Sequence, residues 1–248
     1  MLEIRDVSRH FGGLKAVDAV STSVNQGELV GLIGPNGAGK TTLFNLISGF
    51  TPVTSGEIRY KGQTISGLKP FAIASLGLSR TFQNLRVFPN MTVFDNVSVG
   101  AVGAIGQSAF QAVFAGSKRA NRISERTWEA LERVNLADQA NDLAANLAYG
   151  KRKYLEIGRA LAMQPDLLIL DEPAAGLNDS ETADLSRFIE ELHGEGLTIM
   201  LVEHDMTLVM RICQRVVVLA SGQKIADAEP AIVRRDPQVL EAYLGVDE

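Results

Sequence analysis

The sequence predicts an α/β fold with a parallel core sheet, an antiparallel β subdomain at the N-terminal end and an inserted α-helical subdomain. Three observations predict it. A glycine-rich loop, GPNGAGKT at 34–41, stands between an apolar run and a helix-compatible one. Two apolar runs ending in acids, LLILDEP at 167–173 and TIMLVEH at 198–204, bracket a segment of helical periodicity, which is the pattern of a parallel βαβ crossover. Between about Pro89 and Met163 the apolar spacing changes from strand-like to helical. The core is therefore expected over 1–86 and 164–248 and the helical insertion over 87–163.

Taken in order, residues 2–33 alternate short apolar runs (Leu2, Ile4, Val7; Val17, Val20, Val24; Leu29, Val30, Leu32, Ile33) with glycine-containing turns, as strands do. From Thr41 to Ser48 the run TTLFNLIS suits a helix stopped by Gly49, with Pro52 just beyond. SGEIRYKGQTIS at 55–66 reads as a hairpin turning near Lys61 and Gly62, and Pro70 is placed to open a short helix through Leu76. In the insertion, Ile123, Thr127, Ala130, Leu131 and Val134 share one helical face; Tyr154, Ile157, Gly158 and Leu161 share another. A helix from about Ser180 to His193 carries Leu185, Phe188, Ile189 and Leu192 on one stripe. The strand RVVVLA, a Ser221–Gly222 turn and a last helix follow, with Asp236 as N-cap, Pro237 as first residue and Gly245 as stop.

Composition bounds the function. Hydrophobic residues at 46% and charged residues at 21% are those of a globular chain with a packed core. A net charge of -5 argues against a protein that coats nucleic acid, because neutralising phosphates needs a surplus of Lys and Arg, so no nucleic-acid partner is expected. The single Cys213 has no partner for an internal disulfide, and MLEIRDVSRHF carries charges where a signal peptide needs an apolar run, so a cytoplasmic location is expected. Residues 96–117 carry no formal charge over 22 positions, long enough to cross a bilayer. Asn96, Ser98, Gln107, Ser108, Gln111, Ser117 and four glycines make them a poor span, and a protein-facing surface is the better expectation.

GPNGAGKT fits the full P-loop spacing in the strand–loop–helix context that the motif requires. Gly34, Gly37 and Gly39 let backbone N–H groups turn inward around phosphate oxygens, Lys40 reaches the β- and γ-phosphates as a charge, and Thr41 offers its hydroxyl to Mg²⁺. Pro35, Asn36, Ala38 and Thr42 complete the expected nucleotide-contacting set. Asp171 and Glu172 end a covered strand, where open α/β sheets bind ligands. Asp171 is expected to hold the Mg²⁺ shell and Glu172 to polarise the attacking water as general base.

Five further elements follow in the order of an ABC-transporter nucleotide-binding subunit, which the chain resembles over nearly its whole length. Phe11 looks like the aromatic that stacks on adenine, and Gln83 in RTFQN like the glutamine that senses Mg²⁺ and the membrane partner. LAYGK at 147–151 stands in the place of the signature loop. AAGLN at 174–178 resembles the loop linking opposed active sites, and His204 in VEHDM the histidine that contacts the γ-phosphate. The resemblance implies ATP and Mg²⁺ as cofactors and a dimer in which Ala148 and Gly150 close on the nucleotide of a second ATPase subunit, identical or related. It also implies separate transmembrane permease subunits and a peripheral position at the cytoplasmic face of the inner membrane. The usual signature is LSGGQ; with Ala148 for serine and Lys151 for glutamine, the trans contact must fall to backbone N–H groups and the helix N-terminus. Asn178 stands where aspartate is common. LAYG and the tail QVLEAYLG are similar to one subgroup, the ATPase subunits of high-affinity branched-chain amino-acid importers.

Other readings stand beside these. The same machinery serves urea, amide and aromatic-acid importers and lipopolysaccharide exporters, and a soluble ABC ATPase acting on DNA or ribosomes is the reading from another class. Taken alone, Phe11 and Trp128 read as packing aromatics and Cys213 as a small buried hydrophobe. Lys118, Arg119, Arg122 and Arg126 read as a solvated helix face or one that meets an acidic or lipid-proximal surface.

Overall fold

A computed structural model describes residues 1–82, 85–104, 116–204 and 206–244. The N-terminal strands β1 (Leu2–Phe11) and β2 (Leu14–Val24) pair antiparallel, and β4 (Ser55–Tyr60) with β5 (Gln63–Thr64) extends them into a sheet of order β2-β1-β4-β5. Lys61 and Gly62, both at positive φ, make the tight β4–β5 turn as the sequence leads one to expect. The second sheet contains β3 (Leu29–Ile33), β6 (Leu78–Arg80), β7 (Leu167–Asp171), β8 (Thr198–Val202), β9 (Arg215–Ala220) and β10 (Gln223–Ala228). Its order is β10-β9-β3-β8-β7-β6, parallel throughout except for the edge strand β10.

Every residue of β3, β7 and β8 is buried, because each of these strands is covered on both faces. Their alternating side chains feed two different cores. Leu167, Ile169, Met200, Val202, Val217 and Leu219 join the side that holds the antiparallel sheet and α1 (Lys40–Ile47). Leu168, Leu170, Ile199, Leu201, Val216 and Val218 join the helical side. The βα crossover expected between the two acidic-ended strands is α6 (Asp179–Gly194), with Leu185, Phe188, Ile189 and Leu192 buried. Both strands stop short of their motifs' ends, at Asp171 and Val202, so Glu172 and Glu203–His204 lie on the loops that leave the sheet.

The remaining helices are α2 (Pro70–Ser75), α3 (Val93–Ala104), α4 (Gly116–Arg133), α5 (Tyr149–Leu161), α7 (Met206–Ile212), α8 (Pro230–Val233) and α9 (Pro237–Leu244). Pro70 opens α2 and Asp236 accepts from the N–H of Gln238 at 2.8 Å at the start of α9; Gly245, the expected stop, lies outside the described residues. Of the face read from the sequence, Thr127, Ala130 and Leu131 on α4 and Val134 just past its end are buried, and Ile123 is half-buried. Trp128 is an exposed ring packed 5.3 Å from Phe94, and Cys213 is buried. The edge strand β6 has no counterpart in the sequence reading; three residues between Gly77 and a polar segment carry too little pattern. Among the described residues no helix is long and apolar enough to cross a membrane, and 105–115, half of the uncharged stretch, lie outside them.

Arg215 fastens the two sheets. Its guanidinium donates to Glu28 at 2.6 Å, to Asp227 at 2.6 Å and to the carbonyl of Ser23, while Thr22 donates to Asp227 at 2.9 Å. Burial opposes ionisation of Glu28, but hydrogen bonds from Arg215 and the Asn25 N–H outweigh it and hold the carboxyl below its ordinary value.

Candidate active site

The central strand β3 runs into Gly34 and the loop 34–39 turns directly into α1, so the loop sits at the C-terminal ends of the parallel strands. Two glycines are obligatory here. A Cβ on Gly34 would lie 2.1 Å from the Leu219 carbonyl, and one on Gly39, at φ +100°, 2.3 Å from that of Ala16. Gly39 is also the N-cap of α1 and offers no side chain, which leaves the first N–H groups of the helix open toward the loop. Lys40 is buried and donates to the carbonyls of Gly34 at 2.6 Å and Pro35 at 3.0 Å. Burial draws its pKa below the ordinary lysine value, and the carboxylates of Glu172 and Asp171 oppose that shift.

A cavity of about 600 Å³ opens over this loop, lined by Asn36, Gly37, Ala38, Gly39, Lys40, Thr41 and Thr42, with Glu172 on one rim and Phe11 on another. Gly34 and Pro35 do not line it; their carbonyls hold Lys40 from below. Phe11, at the end of β1, is 48% exposed rather than a core aromatic, and the Arg9 guanidinium lies 4.5 Å from its ring centroid.

Glu172 leaves β7 at φ +47°, a costly conformation for a residue with a Cβ, and its N–H is tied to the Val202 carbonyl at 2.9 Å. Its Oε2 lies 3.8 Å from Nδ1 of His204, a side chain 60% exposed. Asp171 is buried and pairs with Arg80 at 2.8 Å; burial raises its carboxyl pKa, against the pull of Arg80. Arg80 also donates to Asn45 and Ser48, each at 2.8 Å, and lies against the rings of Phe44, Phe50 and Phe82. Gln83 lies outside the described residues; its neighbour Phe82 donates its N–H to Glu156 at 3.3 Å.

Ala148 and Gly150 stand away from this cavity. Ala148 is the exposed N-cap of α5 and gives no side-chain cap, so that helix too begins with open N–H groups. Gly150 packs against the Glu181 carboxylate, whose Oε1 would lie 2.9 Å from a Cβ at that position. Asn178 accepts from the N–H of Glu181 at 3.0 Å while Glu181 accepts from the N–H of Asn178 at 3.0 Å: it caps α6. Lys151 donates to Gln139.

A model of the ABC transporter family matches residues 17–175, and one described as branched-chain amino acid ATP-binding cassette transporter matches 223–248. The chain belongs to the ABC transporter ATP-binding proteins. This ABC ATPase is 43% identical to the high-affinity branched-chain amino acid transport ATP-binding protein BraF of Pseudomonas aeruginosa over 99% of this chain and 98% of that one. It is equally similar, with the same coverage, to LivG of Escherichia coli K12, described in the same words. Among solved structures, a nucleotide-free ATP-binding cassette from an ABC transporter superposes with a TM-score of 0.86 at 32% identity, covering 98% of both chains. The ADP conformation of an ABC transporter cassette gives the same score and identity over 99% of this chain and 98% of that one.

The geometry of the ABC ATPase gives a place at the site to four residues to which the sequence reading assigned no role there. Arg80 opens RTFQN, which was read only for its glutamine, and Lys153 belongs to no motif. Glu203 ends the covered run beside His204; it is fully buried, accepts from the N–H of Ala174 at 2.8 Å, and burial raises its pKa. Tyr149 differs from the glycine of LSGGQ, and that mismatch was available as a signal.

Proposed function

We propose that this ATPase powers uptake of branched-chain amino acids through separate transmembrane subunits, working as a dimer with a second, identical or related ATPase. The observation that carries its chemistry is the P-loop cavity with Lys40 at the floor and Glu172 on the rim, 3.8 Å from His204. The triphosphate takes the place that the loop N–H groups and Lys40 define, and Phe11 stacks on the base. Glu172 is the general base that orients and deprotonates the attacking water, and His204 stabilises the γ-phosphate. Thr41, at the exposed start of α1, and Asp171, at the end of β7, are hard oxygen donors of the kind Mg²⁺ takes, and Gln83 joins them. When bound, the ion neutralises charge that builds on the phosphoryl oxygens.

Ala148 and Gly150 close on the partner's nucleotide through backbone groups at the start of α5. Residues 85–116, next to Gln83, dock on the permease at the cytoplasmic face of the inner membrane. Membrane vesicles carrying the assembled transporter test the whole reading: ATP-driven accumulation of labelled leucine, competed by isoleucine and valine, is expected. Uptake of urea or aromatic acids without leucine would reassign the cargo. Crosslinks from residues 85–104 that reach no permease would remove the docking surface.

A further inference from the structure

Three residues of α5 fall at i, i+4 and i+7 and so share one stripe of the helix: Tyr149, Lys153 and Glu156. Tyr149 and Lys153 reach the loop that follows β7 in their own chain, and Glu156 reaches the segment that follows β6. The Tyr149 hydroxyl donates to the Ala175 carbonyl at 3.2 Å, and its ring lies on Gly176, where a Cβ would stand 3.0 Å from it. Lys153, only 3% exposed, donates to the backbone carbonyl of Glu172 at 3.3 Å. Glu156, also buried, accepts from the Phe82 N–H at 3.3 Å and faces Arg159 at 3.7 Å.

A buried ammonium is costly unless carboxylates and acceptors surround it. Here the surrounding acids are Glu156 on α5, Asp171 and Glu172 at the end of β7, and Glu203 after β8. Burial lowers the lysine's pKa and those four acids raise it. Its ammonium donates to the peptide carbonyl of Glu172. That peptide needs holding, because Glu172 sits at φ +47° and its N–H is already fixed to β8. With the carbonyl held from α5, the direction in which the Glu172 carboxylate leaves the backbone depends on the helix that also begins the signature loop.

We propose that Lys153 is a positioning residue for Glu172, and that Tyr149 extends the connection to the signature loop, so that closure of Ala148–Gly150 on a partner's nucleotide is conveyed to the hydrolytic carboxylate of the same chain. This rests on the reading of Glu172 as general base. Displacing a reacting group by about 1 Å costs up to about a hundredfold in rate, and a residue that acts only in orienting it lowers kcat without raising KM.

The test compares Lys153→Met, Lys153→Arg, Tyr149→Phe and Glu172→Gln in the assembled transporter, with kcat, KM for ATP, nucleotide affinity and melting temperature measured for each. Methionine keeps the hydrocarbon volume but leaves the surrounding carboxylates without that cation, so a lower melting temperature is expected and is read beside kcat. Expected for Lys153→Met is a kcat lower by about ten- to a hundredfold with KM and ATP affinity within about twofold, most of it restored in Lys153→Arg, which keeps a donor. Tyr149→Phe, at an exposed site where only a hydroxyl is lost, is expected to lower kcat in the same direction with KM unchanged. Lys153→Met with the original kcat, a loss confined to KM, or an arginine variant as slow as the methionine one would overturn the positioning role. An unchanged kcat in Tyr149→Phe overturns the extension to the signature loop, and that measurement stands even where Lys153→Met does not fold. Glu172→Gln separates the two levels. Continued turnover in that variant removes the general base itself, whereas a silent Glu172→Gln beside a normal Lys153→Met removes only the present proposal.

Discussion

Of the helix starts that bear on the site, those of α1 and α5 lack a side-chain cap and that of α6 is closed by one. At the start of α1 the cap is Gly39, at the start of α5 it is Ala148, and neither satisfies the first N–H groups; at the start of α6, Asn178 and Glu181 satisfy each other's backbone. The two open starts differ in enclosure. The α1 terminus lies under a cavity of about 600 Å³ with a buried lysine at its floor. The α5 terminus is exposed, and the nearest basic side chain of its own loop, Lys151, is engaged with Gln139. Open N–H groups attract an anion, but water competes for them until something shuts it out. The first terminus therefore has the enclosure that a phosphate site needs within one chain, and the second lacks it, as the proposed completion of a partner's site requires.

The largest effect separates chemistry from this binding geometry. Glu172→Gln keeps the cavity and Lys40 unchanged, so ATP binding is expected to persist while steady-state hydrolysis falls by about a hundredfold or more, the usual contribution of a general base. Near-normal turnover in the purified variant would assign the base elsewhere.

The next tests the exposed terminus. If the α5 terminus holds a partner's γ-phosphate through backbone groups, Ala148→Ser adds one hydroxyl donor to a charged acceptor, worth about 1.5–3 kcal/mol at most. In a hydrolysis-dead background the ATP-bound dimer should then dissociate more slowly, and the ADP-bound form should not change. Equal effects with ATP and ADP would place Ala148 away from the γ-phosphate.

On the complete site, Phe11→Ala removes the ring while leaving the P-loop intact. Loss of base stacking is worth about 1–3 kcal/mol, so ATP affinity should fall by about 5- to 150-fold with kcat nearly unchanged. Stacking is indifferent to base identity, so GTP affinity should fall in proportion. A loss for ATP alone would mean that Phe11 acts through a hydrogen-bonding neighbour instead of its face.

The contrast between these sites also explains what could be read from the residues. GPNGAGKT is local: one stretch of chain supplies loop, lysine and helix start, and spacing alone defines the chemistry. The covered strands ending at Asp171 and Val202 are equally local, since a run apolar at every position has to be buried on both faces. Arg80 and Lys153 are different. Arg80 reaches Asp171 across 91 positions of sequence, and Lys153 reaches Glu172 from a helix whose periodicity marks the position as helical but gives no sign that a lysine is buried there. Long charged side chains at helical spacing read as solvated, and only the packing of α5 on the loop after β7 buries this one. Glu203 shows the intermediate case: an acid closing an apolar strand beside His204 was visible, but its bond to Ala174 depends on how the linking loop folds back.

The smallest expected effect belongs to the closed terminus. Asn178 stands where the related loops commonly carry aspartate, and its side chain is committed to the N–H of Glu181. Asn178→Ala removes that acceptor and should lower stability by about 1 kcal/mol, read as a small drop in melting temperature or denaturation midpoint. Asn178→Asp keeps the acceptor, adds a charge at the positive end of α6 and should hold or slightly raise the melting temperature. If the α6 terminus is only structural, neither substitution alters ATP affinity in the isolated chain, in contrast to Phe11→Ala. A fall in nucleotide affinity for Asn178→Ala that Asn178→Asp repairs, at unchanged stability, would place this third helix start among the ligand-binding ones and undo the distinction between open and capped termini.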